Sequence, residues 1–456
     1  MLLRCTLSDN GRTGLASRVG SFISAVNCTL KGNSQFGVYV SGDGSLVTLK
    51  GCALSDNGLY GIGASESGVA EASRCQMQRN TQAGVVSKDA GSTVTLRNCE
   101  ASDNGRIGVA AIVGGLVEAT GCIVRHNDRV GMGAWHAGSV VMLLKCDTSH
   151  NGATGMTAIE GGVMRAVGCR ILGNMRVGVV AKDFRSRVSL SKCHVSENKR
   201  IGVGARGQGR VEAVDCIIVR NVQSGVVAKD VGSNVKLVRC RLSENGRYGL
   251  SVREGGAAEA VDCEMTLNNH TGACAWHAKS AVSLLRCDTS RNGHHSVGGR
   301  DGASVRVEGV HVGVLAAALR PPGGEGAAIE GAYMYPNAWW EAAPAGAGGS
   351  PPGARAAHHP RAAADAGHLP SSHSGRDVGH VASSRPPPLP LGSNPLLPPL
   401  VTLDPLGDPP GGGERAMSPL LASLAAPEEF GAPESALRGA GEVQPPPPSW
   451  AGGSPP

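Results

Sequence analysis

Proline is missing from this 456-residue chain before position 321, and all 27 prolines lie between Pro321 and Pro456. Aromatic residues make up only 3% of the chain. No apolar run approaches the roughly 18 residues of a membrane-spanning helix, and the net charge of +6 is small for this length. These absences exclude a transmembrane helix and argue against a nucleic acid or a membrane as partner. They also separate a proline-free region from a proline-rich one.

The proline-rich region sets the domain boundary. We predict a folded region at residues 1–312 and a low-complexity, mostly disordered tail at residues 313–456, because the tail is rich in Pro, Ala and Gly and lacks hydrophobic periodicity. Two runs in it, Pro386 to Pro390 and Pro445 to Pro448, have polyproline-II character. SH3, WW and profilin-like modules bind such runs, and a plain linker is the alternative.

The N-terminus carries no recognisable targeting segment. The sequence MLLRCTLSDNG enters a repeat almost at once, without an apolar core or a cleavage site. A cytoplasmic location is therefore favoured. Because an uncapped solenoid end exposes unpaired strand edges, we also expect the natural domain to begin upstream of residue 1.

A repeat whose period alternates between 23 and 24 organises residues 1–312. In each unit a cysteine is followed by an asparagine at plus five and a glycine at plus nine, as in Cys52, Asn57 and Gly61. The glycine fails only in the last unit, where Ser296 replaces it. A fixed period of this length indicates a repeat architecture. The cysteines lie at positions 5, 28, 52, 75, 99, 122, 146, 169, 193, 216, 240, 263 and 287.

Each unit contains three short runs in which apolar residues alternate with others, and turn residues separate the runs. Period two predicts strands, and so short a unit leaves no room for a crossover helix. Each strand must then pair in parallel with its equivalent one coil later, about 4.8 Å away. The sequence therefore predicts an all-β fold, a right-handed parallel β-helix solenoid of about 13 coils and roughly 60 Å.

The inward positions follow from the same alternation. In the Cys52 unit they are Cys52 itself together with Val47, Leu49, Leu54, Ile62 and Ala64. The position three before the cysteine alternates between Leu and Ala from coil to coil, which lets stacked layers interdigitate. The asparagines are expected to form a hydrogen-bonded ladder. The glycine is expected to mark either a tight backbone approach or a positive φ.

The cysteine row is interpreted as a column of small buried hydrophobes. Parallel equivalent side chains point the same way rather than at each other, which disfavours disulfides. No Cys-x-x-Cys pair occurs, so we predict no metal site and no cofactor. Only Cys274 lies outside the row.

The repeat resembles that of the right-handed parallel β-helix proteins of the pectate-lyase-like superfamily. Their repeat reads roughly N-x-I-x-x-N-x-x-x-G-I-x-V, and Cys52-x-Leu54-x-x-Asn57-x3-Gly61-Ile62-x-Ala64 matches it, with cysteine in the first asparagine's place. The resemblance covers residues 1 to about 312 and implies the fold. The family includes polysaccharide lyases, hydrolases and epimerases, F-box-type adaptors and phage tail proteins, so no single activity is implied.

Two outward rows of opposite charge flank the asparagine. Acidic residues precede it on odd coils, about 10 Å apart, which is too far for a glycosidase carboxylate pair. Arginines follow it by two positions. Pairing of the two rows across coils into a neutral, solvated face is one interpretation. An arginine strip for an acidic polymer is the other. The arginines are Arg12, Arg106, Arg129, Arg176, Arg200 and Arg247.

A third outward row follows the glycine by four and five positions and supplies the predicted binding site. A solvent-facing tryptophan on a strand rim is unusual, and with a neighbouring histidine it is typical of a stacking platform for a sugar ring or a peptide side chain. Duplication of the segment AWHAGSVVMLLKCDTSHNG as AWHAKSAVSLLRCDTSRNG also explains the two Trp-His pairs. The predicted binding residues are Trp135, His136, Lys182, Asp183, Lys229, Asp230, Trp276 and His277.

Catalytic signatures are scarce in the sequence. The acidic residues are spread over two or more coils, and no phosphate loop, His-Glu-x-x-His or Gly-x-Ser-x-Gly element occurs, so no catalytic residue is predicted. We predict a non-enzymatic recognition scaffold that binds protein or glycan along the β-helix face. The alternatives are a lyase, hydrolase or epimerase acting on acidic polysaccharide, and a purely structural spacer.

Overall fold

The computed structural model describes residues 1–312 and 329–330. These residues form 38 strands and no helix. Every pairing between strands is parallel, and each strand pairs with its equivalent in the next coil, as Val47 pairs with Ala70 and Ala70 with Val94. The predicted parallel β-solenoid is therefore confirmed. The predictions for residues 313–456 fall outside the described residues, except for the short strand Ile329–Glu330.

Three sheets run along the solenoid, and each coil contributes to all of them. The first sheet lies just before the cysteines and has 15 strands: Leu2–Leu3, Phe22–Val26, Leu46–Lys50, Val69–Ser73, Thr93–Arg97, Leu116–Thr120, Val140–Leu144, Val163–Val167, Arg187–Ser191, Arg210–Val214, Asn234–Val238, Ala257–Val261, Ala281–Leu285, Ser304–Glu308 and Ile329–Glu330.

The second sheet follows the cysteines. It has 10 short strands: Thr6–Ser8, Thr29–Lys31, Ala53–Ser55, Gln76–Gln78, Glu100–Ser102, Ile123–Arg125, Asp147–Ser149, Arg170–Leu172, His194–Ser196 and Ile217–Val219. Beyond Val219 it continues as single bridges, the last of which joins Asp288 to His311.

The third sheet begins just before the repeat glycines. It has 13 longer strands: Thr13–Arg18, Phe36–Ser41, Tyr60–Ser65, Ala83–Lys88, Ile107–Ile112, Val130–Trp135, Thr154–Ile159, Val177–Lys182, Ile201–Arg206, Ser224–Lys229, Tyr248–Arg253, Thr271–Trp276 and His295–Arg300.

The interior is the one that the alternation predicts. In the Cys52 coil the six inward side chains are at most 2% exposed. The alternating large and small residues three before the cysteine are both buried, as Leu49 and Ala72 show. All of these residues belong to a single apolar cluster that runs along the solenoid.

The asparagines form the predicted ladder. Asn57 donates from Nδ2 to Oδ1 of Asn80 at 2.9 Å and to the Leu30 carbonyl at 3.2 Å. Its own Oδ1 accepts from Nδ2 and from the backbone N–H of Asn33, at 2.9 and 3.2 Å. The pattern continues from one end of the solenoid to the other. Each buried amide is thus satisfied by its neighbours, which removes the cost of burying it.

The repeat glycine is explained by close approach and not by its φ angle. A Cβ on Gly61 would lie 2.7 Å from the Gly84 carbonyl oxygen and 3.1 Å from Nδ2 of Asn80. Gly61 is not among the residues with positive φ. Of the two predicted reasons, tight backbone packing against the asparagine ladder is therefore the right one.

The cysteine column is buried and reduced. All 14 cysteines are free thiols, and 13 of them are buried. The Cys52 thiol donates to the Ala25 carbonyl at 3.4 Å, and its backbone N–H donates to Sγ of Cys75 at 3.4 Å. Burial raises the pKa of the Cys28 thiol. The column therefore acts as small interior packing, as the sequence predicts.

Candidate functional site

Aromatic side chains are concentrated on the outward face of the third sheet. Residues 1–312 contain eight Phe, Tyr and Trp residues, and six of them lie in third-sheet strands. None of the six belongs to the interior apolar cluster, so all six point away from it. We call this surface the aromatic face. Its aromatic residues are Phe36, Tyr39, Tyr60, Trp135, Tyr248 and Trp276.

A first aromatic group lies near the N-terminal end of this face. Phe36 stacks on Tyr39 with ring centroids 4.8 Å apart and meets Tyr60 edge-on at 5.4 Å. The rings lie over Gly63, where a Cβ would come within 3.1 Å of Phe36. The Tyr39 hydroxyl shares a 2.6 Å hydrogen bond with Ser65. Burial raises the pKa of the Tyr60 phenol, so this group is a packed cluster with Tyr39 partly exposed.

Trp135 is buried, and the expectation of a solvent-facing ring there is wrong. Its side chain is 1% exposed. The indole folds back onto the strand, so that a Cβ on Gly133 would overlap Cη2 and Cζ2 of the ring. Its partners in the neighbouring coils are Ile112 and Ile159, both buried. Gly133 therefore gives the ring a place to lie flat, and apolar neighbours enclose it.

Trp276 is only partly buried, and its surroundings are cationic. Its partners in the neighbouring coils are Arg253 and Arg300. The ring meets Tyr248 edge-on at a centroid distance of 4.8 Å. Cys274 occupies the position that Gly133 has in the other segment. Trp276 thus fits the predicted role of a platform better than Trp135 does.

A group of histidines adjoins Tyr248 at the same end of the aromatic face. His270 stacks on His294 with ring centroids 4.2 Å apart, and Tyr248 lies edge-on to His270 at 5.0 Å. His295 lies 6.4 Å from His270. The predicted residues did not include this group, because its members come from turn and strand-start positions in consecutive coils. Its one sign in the sequence is the adjacent pair His294 and His295.

Five of the six polar residues of the predicted site lie within 4.0 Å of an acidic or basic side chain along one edge of the third sheet. Nε2 of His136 lies 3.3 Å from Glu160, and Nζ of Lys229 lies 3.3 Å from Glu254. Lys182 lies 4.0 Å from Asp183. Asp230 lies 3.5 Å from Arg206. The structure thus brings them into one row and does not gather them in one pocket.

The backbone conformation just after these strands explains why some residues of this row are Asp or His. His136, Asp183, Asp230 and His277 all have φ angles between 70° and 74°. Asp and His are among the non-glycine residues that tolerate the left-handed region. The chain turns sharply at this point in each coil, so the polar residue there has a backbone role besides any contact it makes.

The six arginines that follow the repeat asparagines by two positions lie along the other edge of the third sheet, and we call them the arginine border. Each of its six arginines immediately precedes a third-sheet strand. We call the residues that immediately precede the asparagines the acidic column. Of its acids, Asp56, Glu197 and Glu244 pair with arginines at the same position of a neighbouring coil, which are not the arginines that the sequence interpretation gives them. Arg79 binds Asp56 at 2.8 Å and holds the pKa of that carboxyl below its usual range.

Glu197 and Glu244 share one arginine of the acidic column. Arg220 lies 3.6 Å from Glu197 and 3.7 Å from Glu244. Within residues 1–312, no ion pair includes Arg106, Arg176 or Arg247 of the border. The border therefore keeps positive charge beside the aromatic face.

Over the part of the chain that the structure describes, no group of three or more His, Cys, Asp or Glu is arranged to hold a metal ion. In the same part, no helix is long and apolar enough to cross a membrane.

The sequence comparison identifies the family. Residues 1–143 and 137–263 match the family model described as the right-handed β-helix region. These segments make up more than half of the chain, so the protein belongs to the right-handed β-helix family. No curated protein matches the sequence.

Solved structures share the fold at low sequence identity. The A-module of the mannuronan C-5 epimerase AlgE6 from Azotobacter vinelandii has 12% identity and a TM-score of 0.52; the match covers 65% of this chain and 92% of that chain. A chain in the cryo-EM structure of the Vag8–C1 inhibitor complex has 13% identity and a TM-score of 0.53, with coverage of 68% and 91%. At these identities the likeness establishes the fold alone.

Proposed function

We propose that the protein is a non-enzymatic recognition scaffold that binds an acidic polysaccharide along the aromatic face. The observation that carries the proposal is the placement of six of the eight aromatic residues of residues 1–312 on one sheet face, where Tyr39 and Trp276 are partly exposed. Aromatic rings stack on the apolar faces of sugar rings, and a solenoid repeats its surface along a line. A linear polymer matches that geometry.

The arginine border supports an acidic polymer over a neutral one. Guanidinium groups bind carboxylates in paired hydrogen bonds, and the border offers such groups from Arg106 to Arg247, over about 29 Å. The fold likeness to a mannuronan epimerase module makes a uronate polymer a sensible first probe. The complex of Vag8 with a protein inhibitor makes protein the second class of ligand to test.

Affinity electrophoresis of the full chain tests the proposal. Gels would contain polygalacturonate, alginate or neutral dextran, and the polymers would be checked for cleavage. We expect retardation by the acidic polymers and a marked loss of it in Trp276→Ala. Phe184→Ala is the matched control, because Phe184 is 61% exposed but lies outside the aromatic face.

Each other outcome has a definite meaning. Equal loss of retardation in both variants would overturn the aromatic face as the site. Cleavage of a polymer would replace the scaffold with an enzyme, the alternative that the sequence left open. No retardation in any gel would overturn the polysaccharide and direct the search to protein partners.

A further inference from the structure

Buried polar atoms without a hydrogen-bond partner are unevenly distributed in the described residues. Eight such side-chain atoms occur there, and five belong to the aromatic face or to the turn at its edge. The other three, on Ser102, Asp147 and Thr148, lie in the second sheet. The buried amide of Asn57, by contrast, is fully hydrogen-bonded in the asparagine ladder. Native proteins retain few unsatisfied buried groups, and those that persist require a reason. The five atoms are Trp135 Nε1, His136 Nδ1, Thr157 Oγ1, Ser251 Oγ and Arg253 Nε.

Four of these atoms form two separate pairs of hydrogen-bonding groups, and we call each pair a station. At the first, Thr157 pairs with Gly133, the residue on which the Trp135 ring lies, so that the hydroxyl and the indole are neighbours. At the second, Ser251 and Arg253 lie on one strand with both side chains pointing outward. Thr157 and Ser251 occupy the same outward position of strands four coils apart, which separates the stations by about 19 Å along a straight row.

The chemistry of the stations specifies the kind of group that completes them. Each combines an N–H that donates with a hydroxyl that both donates and accepts. Thr157 and Ser251 are each 1% exposed, so water does not supply the missing partners at their surface. A ligand would have to displace the covering side chains to reach them, and the new hydrogen bonds would have to offset the cost of that displacement. A hydrocarbon side chain would leave these groups unsatisfied, whereas a sugar hydroxyl or carboxylate would satisfy them.

We propose that Trp135 with Thr157 and Ser251 with Arg253 form a two-point subsite for a linear, hydroxyl- and carboxylate-bearing polymer. The inference rests on the proposed function and adds where and how the polymer is held. Two weak points on one chain bind together more tightly than either alone, provided that the ligand spans both. Binding is therefore expected to strengthen sharply once an oligomer is long enough to reach from one station to the other.

A pair of threonine variants isolates the first station. Thr148 Oγ1 is also buried and unpartnered, but it lies in the second sheet and its side chain approaches Gly131 in the interior. Thr157→Val and Thr148→Val each remove an unsatisfied hydroxyl at constant shape, so both are expected to keep or raise resistance to urea. Only Thr157→Val is expected to weaken binding of the full chain to polygalacturonate, by about five-fold. Thr157→Ser keeps a hydroxyl and should restore binding.

A second pair isolates the other station. Ser251→Ala should weaken polygalacturonate binding by a similar factor, whereas Ser102→Ala should not, since Ser102 Oγ is an equally buried, unpartnered hydroxyl in the second sheet. Calorimetric titration with size-fractionated oligogalacturonates should show a step in affinity with length. Each station variant should abolish that step.

The outcomes separate the two proposals. If polygalacturonate binds but Thr157→Val and Thr148→Val behave alike, the two-point subsite is overturned and the scaffold function stands. If affinity rises smoothly with length, the two-point arrangement is also overturned. If the unaltered chain binds no acidic polymer, the proposed function fails and the subsite fails with it.

Discussion

The two tryptophan segments of this chain are near copies with opposite surroundings. Around Trp135 the strand reads GMGAW, and around Trp276 it reads GACAW. The first ring lies flat over a glycine between two isoleucines and is buried. The second has a cysteine in the glycine's place, lies between two arginines and is partly exposed.

The comparison shows that the outward residue two positions before each tryptophan decides whether the ring packs flat on the sheet. Where that residue is glycine, the ring closes onto the backbone and contributes packing. Where it has a Cβ, the ring stands away and remains available. At the other end of the face, Gly63 of the next coil leaves room for the rings of Phe36 and Tyr39. Duplication explains the presence of both tryptophans. The residue at this one position distinguishes a ring that packs flat, with its Nε1 left without a partner, from a ring that is partly exposed.

The largest expected effect is on stability. Trp135→Ala removes a fully buried ring and should lower the free energy of unfolding by about 3–5 kcal/mol. Trp276→Ala should cost only about 1–2 kcal/mol, because part of that ring is already in water. Urea unfolding of both variants measures the difference. Equal losses would contradict the assignment of different roles.

Exchange of the neighbouring residue is the next test. Gly133→Cys should displace the Trp135 ring and lower the free energy of unfolding by about 1–3 kcal/mol. Cys274→Gly should let Trp276 close onto the sheet, with a cost below about 1 kcal/mol. Fluorine NMR of the fluorotryptophan-labelled chain would detect both moves as opposite changes in solvent accessibility. A ring that does not respond would show that its neighbouring coils, and not this residue, hold it.

The charges beside the second ring should matter for ligand and not for folding. Arg253→Gln is expected to reduce polygalacturonate affinity about two- to five-fold and to weaken its dependence on salt. Arg79→Gln serves as the control, because Arg79 is already bound to Asp56 and lies off the aromatic face. Calorimetry at two salt concentrations compares them. A larger loss of affinity in Arg79→Gln than in Arg253→Gln would show that the polymer binds at the acidic column and not beside Trp276.

The smallest expected effect is the contribution of the Arg79–Asp56 ion pair to the free energy of unfolding. Arg79 depresses the pKa of Asp56 in the folded chain. The pair therefore stabilises the protein above the unfolded pKa of about 3.9, and this contribution is lost as pH falls through the lower folded pKa. For so exposed a pair we expect less than about 1 kcal/mol. Comparison of Asp56→Asn with the parent in urea should show a difference at neutral pH that disappears in acid. A difference that persists in acid would mean that Asp56 acts by packing.

The fold was predictable because its determinants are local and repeated. Every coil repeats the apolar alternation seen at Val47 and Leu49. The cysteine and the asparagine recur at a fixed spacing after it, so each coil supports the same prediction independently. The inward positions and the asparagine ladder followed directly. The choice between tight packing and positive φ at Gly61 did not follow from the sequence, because glycine is compatible with both. The φ angle and the close approach to Asn80 in the structure decide it.

The site was less predictable because it depends on contacts between different positions. The sequence predicted the same exposed role for Trp135 and Trp276, because their strands align. The residue that decides whether the Trp135 ring is exposed is Gly133, two positions earlier, and nothing in the sequence marked it. The acidic row was assigned to the nearer arginines along the chain. In space it meets arginines of its own column, such as Arg79, because equivalent positions of successive coils lie closest together.

Hydroxyl-radical footprinting of the full chain with and without polygalacturonate tests the central claim most directly. The account predicts protection at Tyr39 and Trp276 on the aromatic face, and none at Leu144 and Val167, which are 42% and 43% exposed on the first sheet. Protection confined to the first sheet, or spread evenly over both, would contradict the assignment of the third sheet as the recognition surface.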